Sequence, residues 1–164
     1  MRWHGQVQPL YSQTYTFYTR SDDGSLLWVN GELVVSSWHS QGPTERSGSI
    51  ALESGRKYDV VMEYFERASG AVAQFSWSSP SQYKGIVPMT QLYPGAGPLT
   101  PRLTSTLQNG TNIVLKWMGT ANLESSTNVA GPYTTLQLDA QSPITIAPGS
   151  EPVRFFRVLS QQAQ

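Results

Sequence analysis

The sequence predicts an all-β protein made of many short antiparallel strands. Apolar and aromatic residues alternate with polar residues in short segments, and each segment ends near turn-forming residues. Two Asn-Gly pairs, Asn30-Gly31 and Asn109-Gly110, each separate two apolar runs, which is the strongest short-range signal for a β-hairpin. The 14 glycines and 11 prolines among 164 residues favour turns over long helices. We therefore expect an antiparallel β-sandwich or barrel.

Charge and cysteine content exclude several classes of function. Eleven basic and eleven acidic residues cancel, so the chain has no net charge that would attract nucleic acid or an anionic membrane. The chain has no cysteine, which excludes disulfides, thiolate metal sites and cysteine nucleophiles. No apolar run reaches the length of a membrane span, and the first residues lack a signal-peptide pattern. We expect neither a nucleic-acid partner nor membrane insertion.

The first part of the chain predicts about seven short strands joined by turns. Tyr15 and Phe17 lie two positions apart in the second strand, so both side chains share one face. Trp3, Trp28 and Trp77 fall within strand patterns and are expected in the core. The predicted strands cover residues 3–7, 14–19, 25–29, 32–35, 50–52, 58–66 and 73–77.

A polar stretch from Ser36 to Gly48 is longer than a typical connection and is a candidate binding loop. It contains Trp38, which has two interpretations: the indole stacks on a flat sugar face, or it folds back over the end of the sandwich. The neighbouring His39 has serines around it but no nucleophile-elbow pattern, so it is interpreted as a loop residue and not a catalytic one.

Two adjacent carboxylates, Asp22 and Asp23, stand between the second strand and the first predicted hairpin. One interpretation is a plain turn, in which an aspartate caps its own backbone and Gly24 takes a left-handed conformation. The other is a calcium site, since Ca²⁺ prefers six to eight hard oxygen ligands. Successive strand residues point to opposite faces, so the calcium interpretation requires an unusual backbone between the two aspartates.

No group of residues has the pattern of a catalytic site. The two histidines, His4 and His39, are not at metal-ligand spacing. Glu63 and Glu66 are an odd number of positions apart on a predicted strand, so they point to opposite faces and do not form a glycosidase pair. We predict that the protein is not an enzyme.

A stretch rich in proline and glycine, residues 94–101, divides the chain into two predicted units, 1–93 and 102–164. The second unit carries its own hairpin signal around Asn109-Gly110, although Asn109-Gly110-Thr111 also matches a glycosylation acceptor; we favour the turn. Trp117 is expected in its core, and residues 160–164 are expected to fray. Predicted strands cover residues 103–107, 113–117, 124–127, 133–138, 144–146 and 153–159.

An ordered series of motifs in residues 2 to 93 resembles one family, the domain named after the anthrax protective antigen (the PA-fourteen domain). The motifs are Trp3-His4-Gly5, Tyr15-Thr16-Phe17, Ser21-Asp22-Asp23-Gly24-Ser25, Leu27-Trp28-Val29-Asn30-Gly31, Leu52-Glu53-Ser54-Gly55, Tyr58, Glu63-Tyr64 and Phe75-Ser76-Trp77. The resemblance implies a β-sandwich or barrel of the kind found in secreted glycosidases, toxins and cell-surface adhesins. Family domains have further strands before the Trp3 segment, so we expect this domain to be incomplete at its N-terminus.

The resemblance also implies a site. In lectin-type members, two neighbouring aspartates joined by a cis peptide ligate calcium, and sugar hydroxyls complete the ion's coordination; the matching residues are Asp22 and Asp23. Those members take a further ligand from an asparagine, for which this chain offers Glu66 and the carbonyls of Ala68 and Gly70.

Residues 102–159 look like a small fibronectin-like β-sandwich module that recurs at the C-termini of large bacterial extracellular proteins. Together the two resemblances imply a non-catalytic carbohydrate-binding, lectin-like module of a larger secreted or cell-surface protein. Its partners would be a glycan, bound by Asp22, Asp23, Trp38 and His39, and a neighbouring catalytic or adhesive domain. Its calcium ligands would be Asp22, Asp23 and Glu66. The alternative is an ion-free structural accessory domain of a secreted glycoside hydrolase or adhesin.

Overall fold

The computed structural model describes residues 1–67, 70–95 and 103–160. The chain forms two compact units, Met1–Gly97 and Pro98–Gln164. Fifteen β-strands and one short 3-10 helix occur over the described residues, which confirms the predicted all-β class. Most of the predicted linker, residues 96–101, and the frayed end predicted for residues 161–164 lie outside the described residues.

The first unit is a sandwich of two antiparallel sheets. The five-stranded sheet has the order β4-β3-β6-β1-β9, and the four-stranded sheet has the order β5-β2-β7-β8. A single 3-10 turn, Met89–Gln91, precedes the last strand. The strands are β1 (Arg2–Val7), β2 (Gln13–Asp22), β3 (Gly24–Val29), β4 (Glu32–Ser37), β5 (Thr44–Leu52), β6 (Tyr58–Phe65), β7 (Val72–Ser79), β8 (Gln82–Ile86) and β9 (Leu92–Pro94).

Aromatic side chains fill the space between these two sheets. Tyr15 and Phe17 are both fully buried, as their shared face in the sequence predicted. The ring centroid of Tyr15 lies 5.1 Å from that of Trp77, and Phe17 stacks on Phe75 at 5.8 Å. Such ring pairs add to the stabilisation that comes from burying their apolar area. The core therefore fixes the position of β2, whose last residue, Asp22, is the first of the two adjacent aspartates.

The Asn-Gly hairpin is confirmed. Asn30 and Gly31 have φ values of 51° and 79°, so both residues adopt the left-handed conformation of a type I′ turn. β3 and β4 pair on either side of this turn. Trp28, predicted to be buried, is 0% exposed.

Two predictions about the first unit are wrong. The connection predicted from Ser36 to Gly48 is shorter, because β4 continues to Ser37 and β5 starts at Thr44. The start of β5 is polar and largely exposed, and it is held by backbone pairing with β2, so its side chains carry no apolar strand signal. Trp3 is 42% exposed and does not join the buried core.

The second unit consists of two three-stranded sheets with the orders β10-β11-β14 and β13-β12-β15. Its core contains Leu115, Trp117 and Leu123, with Ala121 and Ala140 beside them. Asn109 and Gly110 form the predicted turn with φ values of 53° and 72°. The strands are β10 (Thr104–Gln108), β11 (Asn112–Lys116), β12 (Ala121–Ser126), β13 (Thr134–Ala140), β14 (Ile144–Ile146) and β15 (Phe155–Ser160).

Across the part of the chain that the structure describes, no helix has both the length and the apolar character that crossing a membrane requires.

Candidate carboxylate site at the acidic corner

The acidic corner lies where β2 ends at Asp22 and β3 begins at Gly24. The peptide bond between Asp22 and Asp23 is cis, as the family resemblance implied. Gly24 has no space for a side chain: a Cβ atom there would lie 2.3 Å from Phe65 Cε1 and 2.7 Å from the Ser37 carbonyl oxygen. Close backbone packing therefore requires glycine immediately after the two aspartates.

Two backbone amides fix the Asp23 carboxylate, which is 6% exposed. The Gln41 amide donates to Asp23 Oδ1 at 3.0 Å, and the Arg67 amide donates to Oδ2 at 2.8 Å. The Gln41 side chain also donates to the Asp23 carbonyl at 3.1 Å. An ionised carboxylate has about four acceptor positions, so both oxygens keep capacity for a further ligand.

Three carboxylates converge at this corner. Asp22, Asp23 and Glu66 each place one oxygen within 4.8 Å of the other two. Asp22 is partly buried and Glu66 is exposed. The Tyr64 hydroxyl lies 2.6 Å from the Asp22 carbonyl and 3.0 Å from Glu66 Oε2, so one phenolic proton serves two acceptors. The cluster thus joins the end of β2 to the end of β6.

Burial and neighbouring charges raise the pKa values of Asp22 and of the adjacent Tyr64. Burial, followed by the negative charges of Glu66 and Asp23, raises the pKa of Asp22 above its ordinary value of 3.8. Burial, followed by its hydrogen bond to Glu66, also raises the pKa of Tyr64. Among the described residues, no ion pair forms with Asp22 or Asp23.

The chemistry of these donors fits a hard divalent cation. Carboxylate oxygens from two chain segments meet at one point, and Ca²⁺ tolerates such mixed, irregular oxygen sets. Gly70 lies beside the cluster, since a Cβ atom there would be 3.9 Å from Asp22 Oδ2. Its carbonyl therefore belongs to a segment close to the site, whereas the predicted ligand at Ala68 lies outside the described residues.

We expect Asp22→Asn to stabilise the ion-free chain at neutral pH. The raised pKa means that the folded state holds this proton to higher pH than the unfolded state does, so its contribution to stability falls as pH rises from about 3.8 through the native pKa. Asparagine carries no charge, so the variant does not lose this stability as the pH rises. Thermal unfolding in chelator should show a higher Tm for the variant at pH 7 and a difference that shrinks towards acid pH; a lower Tm at pH 7 would contradict it.

The two other predicted site residues lie in the loop 38–43. Trp38 packs edge-on against Phe65, with ring centroids 4.7 Å apart, and remains 42% exposed. This contact favours the interpretation in which the indole folds back onto the sandwich. His39 is exposed, and its backbone nitrogen would lie 3.0 Å from a Cβ atom on Gly24. The loop thus borders the acidic corner.

Several residues that support the corner were not predicted. A buried hydroxyl chain lies beneath it: Ser21 Oγ is 3.0 Å from Ser25 Oγ, which donates to Thr19 Oγ1 at 2.9 Å. Gln41 and Arg67 act on Asp23 through backbone amides, which no side-chain pattern reveals. Thr19 and Ser21 lie two positions apart, so their small polar side chains share one face of β2. This spacing was the one sequence signal for a polar interior at this end of the strand.

Glu63 forms an ion pair with Arg2 instead of joining the carboxylate cluster. It is 4% exposed, and Arg2 Nε donates to its Oε1 at 2.7 Å. Glu63 therefore takes part in an ion pair with β1 and lies outside the carboxylate cluster.

Comparison with known proteins shows the family of the chain and its similarity to an anti-sigma factor. The PA14 domain model, the family named after the anthrax protective antigen, matches residues 1–90. The chain belongs to the PA14 domain family. Anti-sigma-I factor RsgI3 of Acetivibrio thermocellus is 54% identical over 99 residues, which is 60% of this chain. The chain spans only 15% of the length of that relative.

Two solved structures resemble both units. An anti-sigma factor domain-containing protein is 31% identical with a TM-score of 0.58, and the match covers 99% of this chain and 69% of the other. An anti-sigma factor domain-containing protein from Clostridium clariflavum is 28% identical with a TM-score of 0.56, covering 90% of this chain and 44% of that one.

These relatives overturn the functional prediction drawn from the lectin-type members. The carbohydrate-binding module, its glycan partner and the alternative of an accessory domain beside a glycosidase or adhesin are wrong, because the similar proteins are anti-sigma factors. The PA14 fold is shared by proteins of different function, so it did not decide between lectin and regulator. No sugar is therefore assigned to Trp38 and His39.

Proposed function

We propose that this chain is a non-catalytic regulatory module of an anti-sigma-factor-type protein, and that it acts by binding within that regulatory system. One observation carries the proposal: the 54% identity to anti-sigma-I factor RsgI3 over 99 residues. The partner in this proposal is a regulatory protein of the sigma-factor pathway.

The two solved anti-sigma structures add support, because their similarity runs through both units of the chain. The structure also favours a binding role over a chemical one. The buried carboxylate Glu63 is neutralised by Arg2, and the three convergent carboxylates of the cluster adjoin the loop 38–43, whose Gln41 amide holds Asp23.

A segment exchange tests the regulatory role. In RsgI3, the 99-residue segment similar to this chain is replaced by the matching residues of this chain, and transcription from a sigma-I-dependent promoter is measured. We expect deletion of the segment to abolish the change in promoter output between inducing and non-inducing growth, and the exchange to restore it.

A folding control accompanies the exchange. Trp77→Ala within the exchanged segment removes a fully buried ring from the core and should cost about 3–5 kcal/mol, so this chimera should behave like the deletion. The proposal fails if the deleted protein still responds to growth conditions, or if the intact exchange behaves like the deletion.

We further propose that Asp22, Asp23 and Glu66 hold Ca²⁺ in this module. Three convergent carboxylates with one raised pKa support this assignment. The ion would neutralise their repulsion and tie the end of β2 to the residues after β6. Its contribution would be structural: it would hold the loop 38–43 and the acidic corner in the one conformation that a partner protein binds.

We also propose that the module lies outside the cell or at its surface. Calcium-binding extracellular modules operate with weak sites, in the range of about 10⁻⁴–10⁻³ M, because external Ca²⁺ is plentiful. Treating intact cells with a protease tests the location. We expect the epitope-tagged chain to be cleaved without cell lysis while a cytosolic marker survives; protection of the tag until lysis would refute it.

A further inference from the structure

A polar cleft of about 270 Å³ opens in the second unit. One wall is the connection from β12 to β13, which contains Thr127, Asn128 and a cis bond between Gly131 and Pro132. The opposite wall is the segment before β15, which contributes Arg154. The cleft uses no residue of the acidic corner.

Arg154 is held in a defined position inside this cleft. Its Nε and Nη2 donate to Ser125 Oγ at 3.3 and 3.2 Å, and Ser125 is only 5% exposed. Its guanidinium carbon lies 5.4 Å from the Phe156 ring centroid. The Arg154 side chain is 30% exposed, so the guanidinium is partly removed from water yet reachable.

The hydrogen bonds of Arg154 leave donors unused. A guanidinium has five N–H groups, and the acceptor that engages two of them is a neutral hydroxyl. The nearby carboxylate of Glu151 forms a loose ion pair with Arg154, because its Oε2 lies 4.0 Å from Nε, which is too long for a hydrogen bond. By contrast, Arg157 Nε donates to Glu124 Oε2 at 2.7 Å. Arg154 is thus a positive charge that lacks a hydrogen-bonded carboxylate among the residues described.

Other groups in the cleft also suit an anion. Ser126 Oγ accepts a hydrogen bond from the Asn128 amide, so its own hydroxyl proton is available to donate. Asn128 Oδ1 accepts from the Ala130 amide, which fixes this loop. A planar guanidinium fork matches the two oxygens of a carboxylate. Glu151 lowers the local positive potential, which favours a singly charged carboxylate over a doubly charged phosphate.

We propose that this cleft of the second unit binds a carboxylate group, with the Arg154 guanidinium as its anchor. The carboxylate comes from one of two sources, a free small acid or the C-terminus of a peptide. This inference concerns a different unit from the calcium cluster and does not depend on calcium binding.

Nuclear magnetic resonance of the isotope-labelled full chain tests the site. Acetate, inorganic phosphate, N-acetylglycylglycine and its uncharged amide are titrated separately at constant ionic strength. The signals of the Arg154 side chain and of the Thr127 and Asn128 amides are followed. We expect saturable shifts with N-acetylglycylglycine and none with the amide. Stronger binding of the peptide than of acetate identifies a peptide C-terminus; equal binding identifies a free acid.

Three variants make the test specific. Arg154→Gln should weaken binding at least tenfold, while Arg157→Gln should leave it unchanged because that guanidinium already pairs with Glu124. Glu151→Gln removes the carboxylate that competes with the ligand for Arg154; it should cost little stability, because this ion pair is half-exposed, and it should tighten binding several-fold. This last variant decides the question if Arg154→Gln fails to fold. No saturable shift, equal binding of the amide, tighter binding of inorganic phosphate, or unchanged affinity in Glu151→Gln overturns the proposal.

Discussion

Gly48→Ala is expected to destabilise the first unit, Met1–Gly97, by about 3 kcal/mol, at the upper end of what overpacking usually costs. This unit contains the PA14 match and is called the PA14 unit below. A Cβ atom on Gly48 would lie 1.7 Å from the Val34 carbonyl oxygen and 2.7 Å from its carbonyl carbon. Both are backbone atoms, so no side-chain rotation relieves the clash. The strands must separate, and burial of the adjacent core is lost.

A β-bulge creates this contact. Leu27 pairs with Val35 and Trp28 pairs with Leu33, so Val34 is an extra residue in β4. The bulge turns the Val34 carbonyl towards β5, where Gly48 pairs with Phe17 of β2. Close approach of the two strands thus depends on glycine at one position and on an insertion in the other strand.

Thermal unfolding measures this effect. A loss of about 3 kcal/mol corresponds to a Tm decrease of roughly 10–25 °C for a unit of this size. Gly85→Ala is the matched control, because Gly85 also lies in a strand and its Cβ would meet nothing within 4 Å. The control should change Tm by a few degrees at most. Equal stability of the two variants would contradict the bulge contact.

Features encoded by neighbouring residues were predictable from the sequence. Asn30-Gly31 specified its hairpin turn, because few residue pairs accept positive φ at two successive positions. The spacing of Tyr15 and Phe17 specified a buried face. Asp22 and Asp23 were recognised as candidates through their motif, and the structure brings Glu66 to them.

Features that arise between distant segments were not predictable. β8 and the short β9 carry weak side-chain patterns, because edge strands are specified mainly by backbone pairing. The first half of β5 was interpreted as a loop for the same reason. The amides of Gln41 and Arg67 reach Asp23 from 18 and 44 residues away, and backbone donors are the same in every sequence.

Calcium is expected to raise the Tm of the PA14 unit, and Asp22→Asn should abolish the increase. An ion present at 100 times its Kd stabilises the folded state by about 2.7 kcal/mol, which corresponds to roughly 10–20 °C for a unit of this size. Asp22 is the informative position because its side chain supplies one of the three convergent oxygens. The Gln41 and Arg67 amides bond to Asp23 and not to Asp22, so the substitution leaves those hydrogen bonds in place.

The decisive result is a reversal in the order of stability. In chelator, Asp22→Asn should unfold at a higher temperature than the unmodified chain, since it removes a charge that burial and repulsion from Glu66 and Asp23 disfavour. In saturating Ca²⁺ it should unfold at a lower temperature, since the ion has lost a ligand. Glu53→Gln, which removes an exposed carboxylate distant in sequence from the cluster, is the matched control and should show the full calcium response.

Calorimetric titration of the chelator-treated chain gives an independent measurement. We expect one Ca²⁺ per chain for the unmodified protein and for Glu53→Gln, with no detectable uptake by Asp22→Asn. A carboxylate cluster that binds no ion would instead give the same Tm difference between Asp22→Asn and the unmodified chain with and without calcium. That result would leave the corner as a turn whose repulsion is tolerated, because the amides of Gln41 and Arg67 and the hydroxyl of Tyr64 already hold it in place.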